Sequence, residues 1–133
     1  MANLIYPKFK EQLLQAGVNM SSVTIKAVLV DTASYTYNAA NEFLSSIPAG
    51  MRVATSPALG SKTFTAGLFD AADTAFTAVT GAVSEALVLF VDTGTDTTSR
   101  LIVYMDTGVT GLPVTPNGGD INVAFNASGI FQL

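Results

Sequence analysis

The residues best placed to do chemistry are two copies of Asp-Thr-Gly, at Asp92-Thr93-Gly94 and Asp106-Thr107-Gly108, each directly after an apolar run. Two aspartates brought side by side share one proton, since adjacent like charges cannot both ionise, and such a pair hydrolyses peptide bonds. The spacing works against a pair. If residues 86 to 106 form an antiparallel hairpin, Asp92 lies at its turn end and Asp106 at its open end, several residues apart at about 3.4 Å each. Asp92, Asp96 and Asp120, with Thr and Asn oxygens nearby, could offer hard ligands to calcium, but no full calcium-loop pattern is present. Asp70 and Asp73 could form a carboxylate pair for glycoside hydrolysis; tryptophan is absent, so no indole platform accompanies them. Gly118-Gly119 lacks the context of a nucleotide loop. Histidine and cysteine are absent, which removes the commonest general base, imidazole and thiolate metal ligands, and disulfides. No catalytic, cofactor-binding or metal-ligating residue is assigned, and the chain reads as non-enzymatic.

The elements that would position these residues are mostly short strands. Pro7 suits a first helical position, and Phe9, Leu13 and Ala16 recur at helical spacing up to Gly17, which predicts a helix over 6–16 within an N-terminal arm over 1–20. Its lysines lie in the first turn, against the helix dipole, so it should depend on docking its apolar face. Val23 to Val30 is rich in β-branched residues and predicts a strand ended by Asp31-Thr32. Asn38 predicts a second small helix over 39–46, stopping before Pro48. Arg52 to Thr55, Lys62 to Ala66, Leu68 to Asp70 and Thr74 to Val79 read as short strands between Gly and Pro punctuation. Residues 85–91 and 100–105 predict a hairpin of central strands covered on both faces. Ile121 to Phe125 alternates cleanly, and the apolar end Ile130-Phe131-Gln132-Leu133 predicts a docked C-terminal segment. The fold class expected is mainly β: one antiparallel β-sandwich or jelly-roll-like domain over 1–133 with two small helices.

Only 12% of the 133 residues are charged, against roughly 25% in an ordinary soluble domain, while 49% are hydrophobic. Thr, Ser and Ala stand where Lys and Glu would normally keep copies apart, so the exterior is expected to be covered by neighbours. The net charge is −4 and the six basic residues are scattered, which argues against direct nucleic-acid binding. No apolar stretch approaches the ~20 residues of a membrane-spanning helix, and the start lacks a secretory pattern, so synthesis in a cytoplasm is expected.

Several segments stand out together: Tyr6 to Glu11, Ile25 to Thr32 followed by Tyr35-Thr36-Tyr37, and Ile47-Pro48-Ala49-Gly50-Met51-Arg52-Val53-Ala54. Glu85 to Gly94, Ser99 to Tyr104 and Gly111 to Ile121 complete the set, in order over nearly the whole chain. Their order and spacing resemble a family of small structural proteins of tailed bacteriophages and prophages. These are packing and turn motifs, so the resemblance implies a virion location and leaves the role within the particle open. The role it suits is a capsid decoration (cement) protein that binds neighbouring major capsid subunits, as a homo-oligomer, dimer or trimer. A tail, head-tail or fibre-associated component is the alternative, with host-glycan contact through Tyr35, Tyr37 and Tyr104; an aspartic-type peptidase is a remote one. Assembly contacts are expected at exposed apolar residues near the two ends, Ile5, Tyr6 and Phe9, and Phe131 and Leu133. Removing residues 1–16 is then expected to leave a foldable core.

Overall fold

The computed structural model describes residues 3–133. In chain order the elements are β1 (Leu4–Ile5), α1 (Pro7–Leu14), β2 (Ile25–Val30), β3 (Arg52–Thr55), β4 (Leu68–Phe69), β5 (Thr74–Phe76), β6 (Ala86–Val91), β7 (Leu101–Met105), β8 (Val109–Thr110), β9 (Ile121–Phe125) and β10 (Phe131–Gln132). The chain is mainly β, and every strand pairing is antiparallel. A five-stranded sheet in the order β1-β7-β6-β2-β3 carries the core, beside a three-stranded sheet β5-β9-β8 and the pair β10-β4.

The predicted hairpin forms the middle of the large sheet. Leu87 pairs with Met105, Val88 with Tyr104 and Leu89 with Val103, while β2 runs along the other side of β6 with Ala27 opposite Leu89. All residues of β6 and β7 are buried, which explains why neither run alternates: apolar side chains are needed on both faces of the sheet. Cross-strand partners share a face, so Val28, Val88 and Tyr104 lie on one side and Ala27, Leu89 and Val103 on the other. By contrast, β9 has one exposed face and shows the expected alternation. At the end of β3, Pro57 has no N–H to donate. Ser56 makes the contact with β2 there instead: its hydroxyl oxygen accepts from the Ala27 N–H at 2.8 Å and its proton goes to the Pro57 carbonyl at 2.7 Å.

Helix α1 forms where its spacing predicts it and has no acidic residue in its first turn and no basic residue in its last. It ends on Ala16 in the left-handed region (φ 58°), with the Gly17 N–H donating to the Gln12 carbonyl and the Ala16 N–H to Leu13. This is a Schellman closure one residue earlier than Gly17 alone would indicate. The segment is no free arm. β1 pairs with the edge of β7, the Tyr6 N–H donates to the Ile102 carbonyl at 2.9 Å, and Tyr6 and Phe9 are both fully buried. Met1 and Ala2 of the expected arm lie outside the described residues.

Two expected elements take another form. The helix expected over 39–46 is replaced by a turn, because the Asn38 side chain accepts from the Ala40 N–H and its carbonyl accepts from Asn41. Phe43 then bridges Arg100, and a single 3₁₀ turn, Leu44–Ser46, follows, its first amides donating to the Ser99 and Asp96 carbonyls. The strand expected over 62–66 reduces to one bridge between Thr63 and Asp70, because the chain turns through left-handed Ala66 and Gly67. Among the described residues no helix is long and apolar enough to cross a membrane.

Candidate functional site

The hairpin geometry separates the two Asp-Thr-Gly motifs. Asp92 follows the last residue of β6 and Asp106 follows the last residue of β7, at opposite ends of the pair. Asp92 instead receives the Lys26 ammonium at 2.8 Å and the Gly94 N–H at 3.1 Å. Asn3 accepts from the backbone amides of Asp106 and Thr107, tying the second motif to the segment before β1. Both motifs are strand-ending turns.

The other carboxylates considered as ligands or acids are also directed elsewhere. Asp96 pairs with Arg52 at 2.9 Å, Asp120 accepts from the Ala78 N–H at 2.9 Å, and Asp73 accepts from the Phe125 N–H at 2.9 Å. Asp70 accepts from the Ala71 N–H. An open depression of about 390 Å³ lies on the outer face of β5-β9-β8, lined by small side chains such as Ala75, Thr110 and Ala124, with Asp73 at its side. One oxygen of the Asp73 carboxylate is engaged by the Phe125 N–H.

The hydrogen bond from Lys26, helped by the Gly94 N–H, holds the Asp92 carboxyl below the usual carboxylate range. A lowered folded-state value means that the contribution to stability is present above the unfolded value, near 4, and disappears as the pH falls through the folded one. In a thermal titration from about pH 5 downward, the wild-type chain is therefore expected to lose Tm more steeply than Asp92→Asn. Parallel slopes would show that the pair adds nothing.

The four tyrosines form one cluster over the Tyr104 face of the sheet. Tyr6 and Tyr37 lie 5.0 Å apart between ring centroids, Tyr37 and Tyr104 5.6 Å, and Tyr35 and Tyr104 6.4 Å. The Tyr35 hydroxyl donates to Asn41 Oδ1 at 2.9 Å, so the 2.7 Å contact between Tyr6 and Tyr35 must be donated by Tyr6. Burial, strengthened by that bond, pushes the Tyr6 phenol far above its ordinary value, and burial raises Tyr35, Tyr37 and Tyr104 as well. The cluster therefore stays neutral. Stacking on sugars through Tyr35 and Tyr104 is ruled out geometrically, since both rings are buried; Tyr37 alone of the three is partly open.

What remains on the exterior is an apolar surface that joins the two ends of the chain. A cleft of about 80 Å³ runs between Leu13, Met20, Phe64, Phe69, Phe131 and Leu133. It adjoins a wider one of about 260 Å³ beside Lys10 and Leu14. Phe64 stacks on Phe69 at 5.7 Å and Phe131 tilts against Phe69 at 5.3 Å, which fixes the floor. Leu14 is 90% exposed and Leu133 65%.

Of the expected assembly contacts, Phe131 and Leu133 belong to this surface, Ile5 is partly buried in the edge strand, and Tyr6 and Phe9 do not qualify. The last two are drawn inward because α1 lies on the core with Phe9 beneath it. Leu13, Leu14, Met20 and Phe64 were not among those expectations. A signal for Leu14 was present: in the series Phe9, Leu13, Ala16, it falls out of phase with the docked face.

No protein-family model matches the chain, and no curated protein matches it.

Proposed function

We propose that this chain is a non-enzymatic structural protein of a tailed-bacteriophage virion, working as a capsid decoration protein that binds neighbouring major capsid subunits. The observation that carries the reading is the contrast between interior and exterior. Lys26, Arg52, Lys62 and Arg100 are turned onto carboxylates or backbone carbonyls of the same chain. Large apolar side chains meanwhile stand in solvent around one cleft. A contiguous apolar patch on a small domain marks a contact surface, and few unpaired charges oppose its being covered. The similarity of the packing and turn motifs to phage structural proteins supplies the particle; the cleft supplies the contact.

Copy number tests this reading. Particles purified from a host that makes the protein, examined by quantitative mass spectrometry and electron microscopy, are expected to carry hundreds of copies over the shell. A dozen or fewer would place it in the tail or head-tail region, and its absence from finished particles would overturn the proposal.

A further inference from the structure

We infer that the cleft between α1 and the β4-β10 pair takes a short segment of another protein that presents an apolar anchor next to a carboxylate. The inference deepens the assembly reading and rests on it. Three observations carry it, the first being the state of Lys10. Lys8 pairs with Glu11 at 3.2 Å, Lys26 with Asp92, Arg52 with Asp96 and Arg100 with Glu42, while Lys62 donates to the Met20 and Val23 carbonyls. Among the described residues Lys10 alone of the lysines and arginines makes no ion pair or side-chain hydrogen bond, and it lines the rim of the wider cleft. A cation left unpaired in a chain that uses its others internally, and set beside leucines, is complementary to a carboxylate brought by the occupant.

The second observation is that the lining contains no Asp or Glu side chain. A second copy docked by two-fold symmetry would bring the same acid-free lining against Lys10. The third is size. The exposed apolar groups are Leu14, Leu133 and Phe64, with Leu13 and Phe131 partly covered, a patch of a few hundred Å² at most. That falls short of the about 800 Å² per partner that a stable interface between folded domains buries. It suits an anchor residue with its flanks. The narrow cleft, floored by Phe69 and Phe131, would hold the anchor, Leu14 would cover it, and Lys10 would fix the flanking carboxylate.

The test uses the full chain and two dye-labelled short peptides with the same central Leu-Phe anchor, one flanked by Asp and Glu and the other by Lys, read by fluorescence anisotropy. The acidic peptide is expected to bind at least about tenfold more tightly than the basic one at low salt, and the preference should shrink as salt rises. Lys10→Glu should reverse the preference, and Leu14→Asp should weaken both peptides by about tenfold or more, as loss of an anchor contact does. Both positions are exposed, so these variants keep the fold, which circular dichroism verifies. Equal binding of the two peptides, or binding indifferent to both substitutions, overturns the inference. So does sedimentation showing a dimer abolished by Leu14→Asp, which would give the cleft to a second copy. If peptide binding fails while wild-type particles still carry the protein, the cleft assignment falls and the virion reading stands. If the peptides bind as expected but particles lack the protein, the virion reading falls instead.

Discussion

Phe9→Ala is expected to destabilise the fold by about 3–5 kcal/mol, the range found when a buried phenylalanine is truncated in a core that cannot fully collapse. Phe9 is 0% exposed, and it is the buried residue of α1 itself. An eight-residue helix with no side-chain cap and no charge placed to favour its dipole has little stability of its own. It stays helical because Phe9 is held by the core, so removing the ring loses the packing and releases the helix together. Against a typical stability of 5–15 kcal/mol, such a loss is a large fraction of the whole. Urea denaturation followed by far-ultraviolet circular dichroism checks it, with Leu14→Ala as the internal comparison. Leu14 sits on the same helix with its side chain in solvent, and its truncation should stay within about 0.5 kcal/mol. If Phe9→Ala were as mild as Leu14→Ala, the N-terminal segment would be detachable after all. For the same reason, removal of residues 1–16 is now expected to open the core rather than leave it intact: it takes away the strand along β7 and two fully buried aromatic rings.

Leu89→Ala should cost about 2–5 kcal/mol by the same transfer and cavity terms. Leu89 sits mid-strand in β6, between Ala27 and Val103, on the face of the sheet opposite the tyrosines. An alanine already stands beside it, so the neighbouring strand has no larger side chain to move into the gap. The transition midpoint should shift with the denaturant dependence unchanged, and intrinsic tyrosine fluorescence should report the same midpoint as circular dichroism. Circular dichroism reads the backbone of the whole chain and fluorescence reads the tyrosine cluster, so separate midpoints would show that the cluster loosens apart from the sheet.

The strands of the large sheet were readable because β-branched and aromatic residues concentrate there, and because uninterrupted apolar runs as short as β6 and β7 fit central strands better than helices. The segment 38–47 was not, since its form depends both on the local turn at Asn38 and on partners far along the chain. The amides of Leu44 and Ser45 are taken by Ser99 and Asp96, and the Arg52 guanidinium holds the Leu44 and Ile47 carbonyls. A local window holds Arg52 but neither Asp96 nor Ser99. The exposed apolar patch was half legible: apolar residues near the ends were expected to be exposed, and Phe131 and Leu133 do line the cleft. Which aromatic residues face inward depends on how α1 rolls onto the sheet, and the hydroxyl pairing that seats Tyr6 involves Tyr35, 29 positions away.

The cations folded back onto this chain's own carbonyls and carboxylates bear on how fast a partner can be found. With Lys10 as its one outward unpaired cation among the described residues, such a body gains little long-range guidance toward an acidic partner, and its encounters proceed near the unassisted rates of about 10⁵–10⁶ M⁻¹s⁻¹. Occupancy on any scaffold is then set by how abundantly the protein is supplied and how slowly it leaves. On the proposed shell, coverage would then follow expression level.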